Sequence, residues 1–106
     1  MGACHDHVTS RYETRRDAEV DGLFDRGWLP SIIPGSSSKI TTRNDLDLNV
    51  SEGGFSFDPG DAGEFIRHLS ASEGSSSYTY EEGHAVWIFH VDVDAGHCRY
   101  SMRLRR

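Results

Sequence analysis

WIFHVDVDAGHCRYSMRL, residues 87 to 104, is the stretch that decides the fold. Trp87, Phe89, Val91 and Val93 alternate with Ile88, His90 and Asp92, and after Asp94-Ala95-Gly96-His97 the residues Cys98, Tyr100, Met102 and Leu104 alternate with Arg99, Ser101 and Arg103. A period of two places each apolar set on one face of a strand. Pairing Val93 with Cys98 sets Val91 against Tyr100, Phe89 against Met102 and Trp87 against Leu104, while Asp92 meets Arg99 on the other face. Any even-length loop preserves that parity, so a hairpin with one apolar face follows whatever the turn type.

Upstream, SASEGSSS (residues 70–77) reads as a connector without core-forming residues. Before it, Asp58-Pro59 opens a helix, with Asp58 as N-cap and proline in the first turn, where its missing N–H costs nothing. Ala62, Phe65, Ile66 and Leu69 then recur as one helical stripe. Earlier still, Leu46, Leu48 and Val50 alternate with Asp45, Asp47 and Asn49. Phe55 and Phe57 resume the alternation after Ser51-Glu52-Gly53-Gly54, which predicts a second hairpin turning at those four residues. Thr14 is placed as an N-cap with Asp17 three residues on, and Val20, Leu23 and Phe24 mark a stripe. Gly27 and Pro30 stop that helix, which is predicted over residues 15 to 26.

Two hairpins and two helices, each apolar on one side, satisfy one another as an α+β two-layer sandwich. The predicted architecture is a four-stranded antiparallel sheet with both helices on one face, in the order α-β-β-α-β-β. Residues 1–13 are polar and aperiodic and read as a flexible tail or linker; residues 14–106 read as a single domain. Between the first helix and the first strand, RGWLPSIIPG (residues 26–35) places Trp28, Leu29, Ile32 and Ile33 between two prolines. It is expected to close over the end of the sheet, Trp28 and Ile32 tucked in and Ile33 more exposed.

The chain has 106 residues, 36% hydrophobic content and a formal net charge of −6. That charge argues against a general nucleic-acid binder, because phosphate binding needs a basic footprint. Arg99, Arg103, Arg105 and Arg106 crowd the last eight residues and read as a solvated strand face with a basic tail. Asp45-x-Asp47-x-Asn49 begins like a calcium loop, but Val50 stands where glycine is needed and Ser56 where the bidentate glutamate belongs. Cys4-His5-Asp6-His7 gathers potential zinc ligands without a partner cluster, and His84, His90 and His97 are spread along the last hairpin. No metal and no cofactor is therefore expected. No nucleophile motif and no glycine-rich phosphate loop is present, and Cys98 falls on the apolar face as a core thiol. Non-enzyme is the expectation, with no catalytic residues assigned. Candidate binding residues are Trp28, Ile32, Ile33, Asp45, Asp47 and Asn49.

The order Asp21-Gly22, Arg26-Gly27-Trp28-Leu29-Pro30, Pro34, Ile40, Asp45-x-Asp47-x-Asn49 and Phe55-x-Phe57 resembles a group of small bacterial envelope proteins, the YbbD head-like family. The resemblance covers roughly residues 17 to 60. It implies an extracytoplasmic location, with anchoring to the membrane by lipid, and it brings no activity with it. Met1-Gly2-Ala3-Cys4 then reads as the remnant of a lipobox, with Cys4 the lipidated residue. The expectation is a lipid-anchored envelope domain that binds a protein partner without catalysis, touching the membrane only through that anchor. The alternative is a soluble, cytoplasmic acidic inhibitor that presents carboxylates to a basic protein surface, as a nucleic-acid mimic would.

Overall fold

The computed structural model describes residues 7–71 and 77–104, and one antiparallel sheet runs through both stretches. In chain order the elements are β1 (His7–Thr14), α1 (Arg15–Val20), β2 (Ser38–Asp45), β3 (Val50–Ser56), a 3₁₀ turn at Pro59–Asp61, α2 (Ala62–Ile66), β4 (Ser70–Ala71), β5 (Ser77–Glu82), β6 (Ala85–Asp92) and β7 (His97–Leu104). The strand order is β1-β2-β3-β7-β6-β5-β4. This corrects the predicted α+β sandwich: among the described residues the sheet has seven strands, and two short α-helices accompany it.

The missed strands are polar ones. In β1, Val8, Ser10 and Tyr12 alternate with Thr9, Arg11 and Glu13, and only Tyr12 is buried. An edge strand with one deeply buried side chain carries little hydrophobic signal, so residues 7 to 13 read as tail; residues 1–6 lie outside the described residues. β5 is similar, with Tyr78 and Tyr80 half-buried. Of the connector, Ser70–Ala71 forms β4 and Ser77 opens β5, while residues 72–76 lie outside the described residues.

The first helix is cut short. Thr14 caps it as predicted, its hydroxyl accepting from the Asp17 N–H at 3.1 Å. Gly22 then takes φ +80, a left-handed conformation that ends a helix, and residues 21–27 continue as turns. The second helix keeps its expected stripe in compressed form. Asp58 accepts from the Gly60 N–H at 2.9 Å, and Ala62 and Phe65 are buried with Ile66 and Leu69 packed beside them.

Both hairpin registers are corrected. β2 and β3 turn at residues 46–49, with Asp45 opposite Val50, so Leu46 to Asn49 close a loop instead of continuing a strand. Gly53 and Gly54, predicted as the turn, lie inside β3. A Cβ on Gly53 would stand 1.9 Å from the Thr41 carbonyl oxygen, and one on Gly54 would stand 2.8 Å from that of Cys98. Glycine is there because backbone approaches closely from both sides. In the last hairpin Val91 pairs with Cys98, Phe89 with Tyr100 and Trp87 with Met102, two residues from the predicted register. The apolar face survives because a two-residue slip preserves parity. The loop falls earlier because Gly96 takes φ +63 at its last position and the Asp92 carboxylate accepts from the Ala95 N–H at 3.1 Å. Asp92 therefore faces His97, and Arg99 faces His90.

The core lies on one face of this sheet. Phe55, Phe57, Phe65, Phe89 and Tyr100 form a continuous aromatic cluster, with Phe65 and Phe89 edge-to-face at 5.3 Å. Ala18 and Leu23 from the first helical segment and Leu29 and Ile33 from the loop after it complete the cover. The opposite face carries no covering element among the described residues.

Candidate functional site

The loop between α1 and β2 holds the candidate site at one end of the sheet. Leu29 (0% exposed) and Ile33 (3%) are its buried anchors, and Pro30 and Pro34 are buried beside them. Trp28 and Ile32 are half-buried against the core. The expected lid is present with its roles exchanged, since Ile33 enters the core and Trp28 stays partly open. The Trp87 indole N–H donates to the Trp28 carbonyl at 3.1 Å, which ties the loop to β6. On its other side Tyr12 donates to the Asp21 carboxylate at 2.6 Å, and Arg26 reaches the same carboxylate at 3.3 Å and the Asp21 carbonyl at 2.5 Å. The Tyr12 hydrogen bond, followed by that of Arg26, holds the Asp21 carboxyl below its ordinary value.

Between Trp28 and the β2–β3 turn lies a cleft of about 460 Å³, lined by Val8, Ser10, Arg26, Trp28, Asn44 and Leu46. Its rim is apolar: Val8 is 44% exposed, Leu46 47% and the neighbouring Leu48 60%. Its floor is polar. Ser51 donates to the Asn44 side-chain carbonyl at 2.6 Å and stands 2.8 Å from the Tyr100 hydroxyl. Burial pushes the Tyr100 phenol well above its ordinary range, so it stays protonated and donates to Ser51. The chain of donors runs Tyr100 to Ser51 to the Asn44 side-chain carbonyl, and Asn44, only 4% exposed, lines the cleft.

The turn itself is built by Asp45, whose carboxylate accepts from the N–H groups of Asp47 at 3.0 Å and Leu48 at 3.1 Å. Asn49 takes φ +56, a left-handed position that asparagine tolerates. The Asp-x-Asp-x-Asn run is therefore turn chemistry that presents Leu46 and Leu48, with Asp47 and Asn49 exposed on its outer side. Of the expected binding residues the cleft lining holds Trp28; Leu46 reaches it from the turn, whereas Asp45, Asp47 and Asn49 do not line it, Ile32 packs half-buried against the core and Ile33 is buried in it. Cys4 lies outside the described residues. Sequence reasoning missed Val8, Ser10, Arg26, Asn44 and Leu46; the signal available was the Val8-x-Ser10-x-Tyr12 alternation and two leucines in an otherwise polar turn. Cys98 is fully buried, and its thiol is pushed up to about 12 by that burial. Among the described residues no three histidine, cysteine or carboxylate side chains converge as a metal site, and no helix is long and apolar enough to cross a membrane.

Fold and cleft together define a small antiparallel β-sheet domain with a proline-bounded loop and a cleft at one end. Residues 6–56 match the model of the YbbD head domain, which is consistent with a YbbD head domain-like family. A search of curated proteins gave no match, and a search of solved structures gave none. The matched stretch ends at the last residue of β3, so every residue lining the cleft falls within it.

Proposed function

We propose that the chain is a non-catalytic binding domain of the bacterial cell envelope, anchored by lipid at Cys4, that docks a protein partner in the cleft beside Trp28. The observation that carries this reading is the pairing of an apolar rim at Val8 and Leu46 with the polar Ser10 and Asn44 side chains in one cleft, inside the stretch that matches the family model. Rims of exposed aliphatic and aromatic side chains mark interaction surfaces. Lack of catalysis is supported by the lining itself, in which Arg26 alone is ionisable and is engaged with Asp21. Nothing in that lining acts as a general base.

The test is capture from the native envelope with wild-type and Leu46→Asp protein side by side. A partner held by wild type and released by Leu46→Asp, with blue-shifted Trp28 emission on binding in the Trp87→Phe background, is the expected result. Equal capture by both would remove the cleft from consideration. For the anchor, mass spectrometry of protein expressed from the full native gene should find a diacylglyceryl adduct on Cys4; an unmodified Cys4 in the membrane-free fraction would sink that part.

A further inference from the structure

The uncovered face of the sheet carries a second feature, unrelated to the Trp28 cleft. One cross-strand row there is continuous in register: Arg11 faces Thr41, Thr41 faces Gly54, Gly54 faces Arg99, Arg99 faces His90 and His90 faces Ser77. In an acidic chain of net charge −6, this row contains no carboxylate. Neither Arg11 nor Arg99 makes an ion pair among the described residues, whereas the adjacent Arg43 bridges Glu52 at 3.6 Å. Sheets ordinarily set opposite charges across from an arginine, so two unpaired guanidinium groups on one row form a positive field that the fold leaves unanswered.

The same row sinks at its centre. Gly54 has no side chain, and close backbone approach keeps it so. Beside it lies a hollow of about 430 Å³ whose lining includes Gly53, Thr41, Ser101, Arg99 and His90, together with the Arg43–Glu52 pair; Arg11 stands outside that lining, on β1. Adjacent strands are about 4.8 Å apart, which puts Arg99 one spacing and Arg11 two spacings from Gly54. Both arginine side chains are long enough to lean over the glycine from opposite sides.

We propose that this hollow binds a small free oxyanion of phosphate size, held by Arg99 in its lining and by Arg11 leaning in from β1, with hydroxyl donors from Thr41 and Ser101. Guanidinium forks match the oxygen spacing of such anions. The surroundings set the size limit. Glu52, on the hollow's flank, and Asp92, farther along β6, repel charge beyond the compact centre, which disfavours an extended polyanion or a continuous anionic membrane.

The experiment is titration of the labelled full chain with inorganic phosphate at constant ionic strength, followed by amide NMR. Saturable shifts confined to Thr41, Gly53, Gly54, Arg99 and Ser101, with a dissociation constant on the order of 1 mM, are expected. Arg99→Gln and Arg11→Gln should each weaken binding about tenfold, and Glu52→Gln should tighten it severalfold by releasing Arg43. Arg67→Gln, the same loss of charge at the C-cap of α2, should change nothing. An equal loss with Arg67→Gln would reveal diffuse attraction and overturn the proposal, as would an unmoved spectrum. Co-sedimentation with phosphatidylglycerol vesicles in the absence of phosphate binding would assign the face to a lipid headgroup and overturn it equally.

Discussion

Two glycines separate space from conformation. Gly53 sits between β2 and β7, where an added methyl would meet the Thr41 backbone at 1.9 Å, and no rotamer can relieve a collision with backbone. Gly53→Ala should therefore cost about 3 kcal/mol or more, the upper end of overpacking. Gly27 has nothing within 4 Å of its would-be Cβ but holds φ +81, so Gly27→Ala should cost only the left-handed penalty of about 1–2 kcal/mol. Urea midpoints for the two variants check the contrast, and equal losses would refute it. Sequence reading treated Gly53-Gly54 as a turn because adjacent glycines usually punctuate. Nothing local distinguishes a glycine that bends the chain from one that admits a neighbouring strand, since the neighbour is supplied by β7, more than forty residues away.

At the level of elements, the loop between α1 and β2 divides between buried anchors, Leu29 and Ile33, and half-buried Trp28 and Ile32. Leu29→Ala removes a fully buried side chain and should cost about 2–5 kcal/mol. Trp28→Ala removes a half-buried ring whose backbone carbonyl still holds Trp87, and should cost less than Leu29→Ala while abolishing partner capture. Thermal melts and capture measured on both variants give the comparison; a reversed order in stability would return Trp28 to a purely structural role. The β2–β3 turn depends on Asp45, and Asp45→Ala, which frees two backbone N–H groups, should cost about 1–2 kcal/mol. The facing of β6 and β7 was legible because large apolar residues alternate without interruption. The Asp45–Asn49 segment was not, because two leucines imitate strand alternation while the aspartate and the left-handed asparagine do the folding. α1 fell between these cases: its cap could be read from Thr14 and Asp17, whereas its early end depended on which of two glycines turns left-handed first.

Across the whole molecule, the titration of buried acids shapes stability. Burial raises the Cys98 thiol from an ordinary 9.0 to about 12 and moves the Tyr100 phenol upward as well. Above pH 9 the unfolded chain releases these protons first, so the folded state holds more protons and stability falls as pH rises toward 12. Asp21 works in the other direction. Its lowered carboxyl stabilises the fold above the ordinary carboxylate range and loses that contribution as pH falls through it, a small effect because the group is exposed. Urea midpoints should hold level through neutral pH and decline on the alkaline side, with a shallower alkaline slope in Cys98→Ala. An identical slope in that variant would remove Cys98 from the account. At this scale sequence gave the one-sided sheet and the need for a cover, but not the strand count, because β1 and β5 draw their stability from neighbours they pair with and show little apolar periodicity of their own.

The register of the strands also fixes how the domain bears load. β1 starts opposite Asp45, and β7 runs out past Met102 opposite Ser51, so both leave the sheet at the end that carries the β2–β3 turn. Three strand spacings, about 14 Å, separate them laterally. Tension applied between these two exits pulls across the strands, in line with the ladder hydrogen bonds, which then break one pair at a time from β1 inward. Traction in that geometry unzips the sheet and never shears it. A domain tethered to a surface by one exit and to a neighbour by the other would yield as a soft mechanical fuse, β1 first and the aromatic core last.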